Sequence, residues 1–425
     1  AARSTLSFRN VVPSQGKKTP VRTNSTSGRR PRRWVIASAG LALALAGCAR
    51  DASQDIFQPE GDNARKIYNV QLLPFVLAGV VGVIVFAAVG YTVWRYRDRG
   101  QKIPHQSHGN PAIELGGILT SAAILAVISV PTLQGVFYLA KTSDCPMTVN
   151  VTGQQWWWEY SYPVQKVGDI TIDQPIVTSG ELVFPAGQCI TLRITSRDVI
   201  HSYWIPKLNG KRDAVPGRVQ QLRMEADHPG IYDGQCTEFC GLSHGNMKMD
   251  AVALNEADFQ TWVAQQNTGV PTPAPDTAAA RGESIVQSQC VRCHQFNGMV
   301  DADGNPVLSH ADQNLVSGAA PNLTHLMSRT MFAGATFDLM TEECRTNLRS
   351  LSPTEFGAQY LKGVTPECLN RAELEEWLAN APGKKPMYPD VNADGLGRGM
   401  PYLGLSESQI DDIVAYLTTL NPSEG

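Results

Sequence analysis

The sequence shows no internal repeat, no negative charge in its first 33 residues, only eight histidines and only nine cysteines in 425 residues. Without a repeat, the chain is not an array of similar units. With so few cysteines, their spacing carries the information rather than their number. Charge is also modest. Setting aside residues 1–47, which hold nine basic side chains, leaves 27 basic against 39 acidic residues, a net of −12. An acidic chain of this kind is no general nucleic-acid binder. What is present excludes disorder: 43% of residues are hydrophobic, and there are eight Trp and twelve Tyr. The length implies two or three domains. Mean hydropathy is −0.17, so most of the chain lives in water, an average that leaves room for a few membrane spans.

A basic stretch closing on Arg29-Arg30-Pro31-Arg32-Arg33 precedes an apolar run, residues 34–46. That run is too short to cross a bilayer. Residues 1–47 have the form of a lipoprotein-type signal peptide, with a charged region and then a short apolar one. The run ends Leu45-Ala46-Gly47-Cys48, which resembles a bacterial lipobox. The resemblance implies lipidation at Cys48, as the first mature residue of a segment 48–69. The alternative is an uncleaved anchor with a chance cysteine. Residues 70–94 and 115–140 carry no charge, and each is long enough to span a membrane. The connection 95–114 brings Arg95, Arg97, Arg99 and Lys102 against Asp98. The positive-inside rule puts it in the cytoplasm. A two-pass hairpin, 70–140, in a bacterial plasma membrane then carries everything beyond Lys141 outside, where disulfides form. Glu114, at the start of the second span, reads either as an interfacial carboxylate or as an entry point for protons.

From residue 147 the pattern becomes short β-branched runs between Gly/Pro turns: 148–152, 181–185, 189–194, 219–224 and 249–254. This predicts a β-sandwich or barrel over 145–255. Residues 257–266 read as helix, and 267–280 as a Pro/Thr/Ala linker, so that 256–280 joins two domains. Residues 373–379 form a short helix candidate in the last segment, 281–421. Residues 406–420 are a firm helix, with a capping-box pattern at Ser406 and Gln409 and one face made of Ile410, Ile413, Val414 and Leu417.

Two motifs carry chemistry. The first is Cys236-Thr237-Glu238-Phe239-Cys240-Gly241-Leu242-Ser243-His244-Gly245-Asn246-Met247. Two thiols, an imidazole and a thioether favour copper. Zinc is the rival for Cys/His sets, but a thioether argues against it. His201 lies upstream on a strand end. Two thiolates can bridge two copper ions with one imidazole for each. A structural disulfide between Cys236 and Cys240 is the plainer alternative. The second motif, Cys290-Val291-Arg292-Cys293-His294, is the covalent attachment pattern of c-type haem. Its alternative is a thioredoxin-like redox pair, although no βαβ pattern surrounds it.

Residues 65–255 resemble the binuclear copper (CuA) subunit of haem–copper oxidases, cytochrome c oxidase subunit II. The likeness rests on the hairpin, on Gly153-Gln154-Gln155-Trp156-Trp157-Trp158-Glu159-Tyr160, on the His201 segment, on Asp213-Ala214-Val215-Pro216-Gly217-Arg218 and on the Cys/His/Met loop. It implies copper ligands His201, Cys236, Cys240, His244, Met247 and the carbonyl of Glu238. The Glu238 side chain would reach a magnesium ion shared with subunit I. Trp156 would be the point of electron entry, its plainer role being interior packing. Glu114 would open a proton path, although Gly116-Gly117-Ile118 stands where the family has a Trp-Thr pair. The last segment resembles cytochrome c domains, which implies haem iron held by His294 and Met400, with Met387 as the alternative. Pro321 would then accept from the His294 ring. His325 and His310 are expected at the surface. Relative to such domains there is extra material around 299–312, 338–372 and 388–398. Cys344 and Cys368 fall in the second of these and are expected to form a disulfide, with Cys145 and Cys189 as the other pair.

The expectation is therefore a multidomain membrane protein: a two-helix transmembrane hairpin, a cupredoxin-like β-barrel and an all-α cytochrome c domain. Its function would be electron entry to a respiratory terminal oxidase. Electrons from cytochrome c or a cytochrome bc complex would pass through haem c and CuA to subunit I, with subunit III as a further partner. There oxygen is reduced to water with proton pumping. The alternatives are the CuA subunit of a nitric oxide reductase and a non-catalytic copper-binding lipoprotein.

Overall fold

The computed structural model describes residues 52–100, 105, 108–141, 145–300, 304, 320–387 and 398–423. The leader 1–47, Cys48, Lys102, His310 and most of 299–312 and 388–398 lie outside the described residues.

Helices α1 (Asp62–Arg95) and α2 (Pro111–Leu139) are each long and apolar enough to cross a membrane. Val83, Phe86 and Phe137 point outward, exposed, an arrangement that suits lipid surroundings. Gly135 brings the two helices together: a Cβ there would lie 3.0 Å from Val70. α1 starts eight residues before the charge-free run because its first two turns are polar and stand on the next domain. Arg65 bonds Asp62 at 2.6 Å and also Asp227, and His228 bonds Glu60 at 3.0 Å. α2 opens on Pro111, where a missing N–H costs nothing. The Asn110 side chain accepts from Ala112 and Ile113, and the Asn110 N–H donates to Glu114 at 3.2 Å. Glu114 thus closes a reciprocal cap at the helix mouth.

The β-domain holds β1 (Met147–Gln154), β2 (Trp157–Tyr162), β3 (Gln165–Val167), β4 (Ile170–Ile172), β5 (Ile176–Ser179), β6 (Glu181–Pro185), β7 (Ile190–Ser196), β8 (His201–Trp204), β9 (Arg212–Ala214), β10 (Gln220–Met224), β11 (Gly230–Cys236) and β12 (Lys248–Leu254). One sheet runs β10-β7-β1-β2-β5 and the other β6-β12-β11-β8-β9. The pairs β1/β7 and β6/β12 are parallel and the remaining pairs of these two sheets are antiparallel. Alternate residues of β1 point inward, so Met147, Val149 and Val151 meet Leu192, Ile194, Trp158 and Tyr203 in the core. The result is a cupredoxin-like two-sheet domain. Cys145 is joined to Cys189, with Cα atoms 5.2 Å apart.

Beyond it come α3 (Glu256–Gln266), α4 (Ala278–Gln289), β13 (Met331–Phe332), β14 (Phe337–Asp338), α5 (Glu342–Ser350), α6 (Pro353–Tyr360), α7 (Arg371–Lys384) and α8 (Glu407–Leu417). The linker read as 267–280 ends at 277, because the Thr277 side chain caps α4 by accepting from Ala280 at 3.1 Å. The region is helical, though not all-α, since β13 and β14 pair in a small hairpin. Ser406 and Gln409 form the capping box of α8. α4 and α8 cross at Gly282, where a Cβ would overlap the Asp412 backbone. Cys344 is joined to Cys368, with Cα atoms 5.7 Å apart.

This region is fastened to the β-domain by buried polar contacts. Glu181 accepts from the Thr330 N–H and hydroxyl at 2.6 Å and from the Tyr360 hydroxyl at 2.7 Å. Arg329 donates to Ser179 at 3.0 Å, and Arg349 to Asp233 at 2.5 Å.

Candidate metal centre

The sheet register gathers the copper-motif residues. His201 opens β8, Cys236 closes β11, and Cys236 lies opposite Tyr203 across the two strands. The loop after β11 folds back: the Cys236 N–H donates to the Met247 carbonyl at 2.9 Å, and the Met247 N–H to the His244 carbonyl at 3.2 Å. One ring nitrogen of His201 and the sulfurs of Cys236 and Cys240 all lie within 4.8 Å of one another. The two sulfurs are 3.8 Å apart, unbonded, against about 2.05 Å for a disulfide. Cys240 Sγ is 3.5 Å from His244 Nδ1 and 3.9 Å from Met247 Sδ. Cys236 Sγ is 3.4 Å from the Glu238 carbonyl oxygen.

The atoms around this cluster leave the right lone pairs free. His201 Nε2 is engaged by Asp198 at 2.8 Å. Its Nδ1 is buried without a hydrogen-bond partner, which costs free energy unless something binds there. Gly153 makes room for the imidazole, since a Cβ would lie 2.9 Å from its Cδ2. The contact with Cys240 pulls the Cys236 thiol down to about 4, while the same contact and burial push the Cys240 thiol up. Burial lowers His201, but Asp198 and the nearby Cys236 sulfur outweigh it and leave it raised. A buried pocket of two sulfurs beside an unpartnered imidazole nitrogen fits a soft cation.

Trp156 is buried beside this cluster. Its indole N–H donates to the Cys240 carbonyl at 3.0 Å, and Gln155 donates to the same oxygen at 2.7 Å. Trp156 also lines a second cavity, of about 610 Å³. Cys290, Cys293, His294, Met387 and Met400 line it too. Cys290 caps the end of α4, and Cys290 and Cys293 are not joined to each other. Burial raises both thiols, Cys290 to about 12. His294 is lowered by burial, and its Nδ1 lies 2.7 Å from the Pro321 carbonyl that accepts from it. That bond fixes the ring and leaves Nε2 as the basic nitrogen. Two thiols, a fixed imidazole and two thioethers around an apolar space fit a covalently held porphyrin. Met387 packs against Gly399, beside Met400.

One expectation changes here. His325 is buried, not at the surface, with Nε2 3.0 Å from the Thr268 carbonyl. Glu114 acts as a helix cap, and Glu238 is well away from full burial on an exposed turn beside Phe239. Asp198, Lys385 and Arg398 carry contacts at the site that no local motif marked.

The family described as cytochrome c oxidase subunit II, periplasmic domain, matches residues 147–254. Cytochrome c oxidase subunit 2 of Alkalihalophilus pseudofirmus is 30% identical over 292 residues, which cover 66% of this chain and 82% of that protein. The chain belongs to the cytochrome c oxidase subunit 2 family. Subunit 2 of Bacillus sp. (strain PS3) is 28% identical over 397 residues, 89% of this chain and 95% of that protein. Among solved structures, the periplasmic domain of subunit II of the Bradyrhizobium japonicum cytochrome oxidase is 28% identical. It covers 30% of this chain and 96% of its own, with a TM-score of 0.26. Membership makes the chain part of a haem–copper terminal oxidase, an oxidoreductase. It is the electron-entry subunit, bound to the membrane beside subunit I, with an extracytoplasmic domain that carries the CuA copper centre.

Proposed function

We propose that this chain holds both a CuA pair and a covalent haem c. His201, Cys236, Cys240, His244, Met247 and the Glu238 carbonyl would hold the copper. Cys290 and Cys293 would carry the porphyrin, with His294 and Met400 on the iron. When bound, the groups supply one-electron carriers between an external donor, such as cytochrome c or a cytochrome bc complex, and subunit I. There the electrons reduce oxygen to water, with protons pumped. The observation that carries the copper reading is the orphaned, buried Nδ1 of His201 facing two unbonded thiols. The haem reading is supported by the cavity that brings Cys290, Cys293, His294 and Met400 together, and by the length of the Bacillus PS3 relative, whose match runs far past the copper domain.

The protein's own residues do the positioning. Asp198 holds the His201 ring, and Pro321 holds that of His294. Trp156 lines the second cavity and bonds the backbone of Cys240. The Glu238 carboxylate would serve magnesium at the boundary with subunit I, and subunit III completes the complex. Glu114 would take up protons at the cytoplasmic mouth of α2, a role its capping bond does not preclude. Cys48 would bear the lipid.

The test is a double substitution, Cys290→Ser with Cys293→Ser, in the full complex. Covalent haem on a denaturing gel is expected to vanish from this chain while copper content stays. Covalent haem surviving the substitutions would refute the attachment. Oxygen rather than nitric oxide consumption by the wild-type complex separates the oxidase from a nitric oxide reductase.

A further inference from the structure

The segment between Lys385 and Met400 touches the copper domain at both of its described flanks, and each contact falls one step from a copper-motif residue. On the near flank, Lys385 is buried, and its Nζ donates to the Trp156 carbonyl at 2.8 Å and to the Ala333 carbonyl at 2.7 Å. Trp156 in turn bonds Cys240. The Ser243 hydroxyl, beside His244, donates to the Pro386 carbonyl. On the far flank, Arg398 is buried, and its Nε lies 3.3 Å from Asp198 Oδ2. The other oxygen of Asp198 bonds His201. In sequence, Lys385 precedes Met387 and Arg398 precedes Met400, each by two residues. Gly334 completes the near contact: at φ 74 it approaches the Trp156 carbonyl so closely that no Cβ fits.

We propose that Lys385 and Arg398 are positioning residues for electron transfer between haem and copper, with Lys385 fixing the flank that bears Met387 to Trp156, and Arg398 fixing the flank that bears Met400 to Asp198 and, through it, to His201. This rests on the two-cofactor reading above. With both groups bound, the step they would serve is the transfer of one electron from the haem, which is oxidised, to the copper pair, which is reduced. No bond is made or broken, and no proton changes hands. A buried lysine joining two carbonyls from different domains is costly unless the position it fixes matters. Its reach sets how the cavity wall meets Trp156. Arg398 acts differently: it holds the carboxylate that orients a copper ligand, so a residue of the haem domain bears on the copper site.

The experiment uses the full oxidase complex with Lys385→Met, Arg398→Gln and Arg398→Lys. Haem is photoreduced, and reduction of the copper pair is followed by the loss of the near-infrared band of its oxidised form. In K385M the transfer rate is expected to fall roughly 10–100-fold, with the resting haem and copper spectra unchanged. In R398Q the copper near-infrared band and its electron-spin hyperfine pattern are expected to shift while the haem spectrum stays, and R398K is expected to restore the wild-type pattern. Wild-type transfer in K385M together with an unaltered copper signature in R398Q overturns the proposal. Should K385M fail to assemble, the R398Q signature alone decides. A wild-type chain without covalent haem refutes the two-cofactor reading instead, and the R398Q copper signature then reports separately on the Arg398 contact.

Discussion

Trp156 donates its indole N–H to the carbonyl of Cys240 at 3.0 Å and is also one of the residues lining the cavity that holds Cys290, Cys293 and His294. One residue therefore borders both candidate cofactor sites. Trp156→Phe keeps an aromatic ring and removes the donor. Gln155 still serves the Cys240 carbonyl, so the copper band is expected to persist. Turnover with the external donor is expected to fall roughly 10–100-fold, measured as oxygen consumption at saturating donor. Unchanged turnover would show the ring to be packing alone.

Asp198→Asn tests the carboxylate behind His201. The variant keeps the shape of the side chain and loses its charge, so the imidazole is held less firmly. Copper affinity is expected to drop roughly 10–100-fold, read as copper retained after dialysis against a graded chelator. Haem content serves as the internal control and is expected to stay.

Glu181→Ala tests the joint between the β-domain and the helical region. It strands the Thr330 N–H and hydroxyl and the Tyr360 hydroxyl, and it removes the negative charge nearest the buried Arg329. A loss of about 3–5 kcal/mol is expected. It would appear as a lower thermal midpoint and faster proteolysis in the exposed stretch 269–277.

His325 gives a pH dependence with a definite sign. Burial, helped by Arg329, lowers its pKa to about 4, below the ordinary value near 6.5. Above pH 6.5 both folded and unfolded forms are neutral and the histidine costs nothing. As pH falls from 6.5 towards 4, the unfolded chain takes up a proton that the folded one refuses, and stability is lost. The full penalty is about 3 kcal/mol. His325→Gln keeps an N–H for Thr268 and cannot titrate. The gap between the thermal midpoints of wild type and H325Q is expected to move in favour of the variant between pH 7 and pH 4.5. A constant gap would contradict this.

Much of this architecture is legible in the sequence because local chemistry fixes it. The charge-free runs give the membrane helices, and Ser406 with Gln409 gives the start of α8. Cys236 through Met247 gives the copper motif because its ligands are close in sequence. What local chemistry does not fix is missed. β11 reads poorly as a strand because Gly230, Asp233 and Gly234 interrupt it, and its neighbours supply the pairing. The first turns of α1 are polar and gain their helical form by standing on Asp227. His325 looks like a surface histidine until Thr268 covers it from 57 residues away. Lys385 and Arg398 read as ordinary basic residues, because Trp156 and Asp198 lie about two hundred residues upstream.

The most direct measurement is the copper and covalent-haem content of the isolated full-length chain, with its near-infrared spectrum. The expected result is two copper ions and one covalent haem per chain, with a near-infrared band that disappears in Cys240→Ala while the haem remains. One copper or none, or a chain without covalent haem, would contradict it.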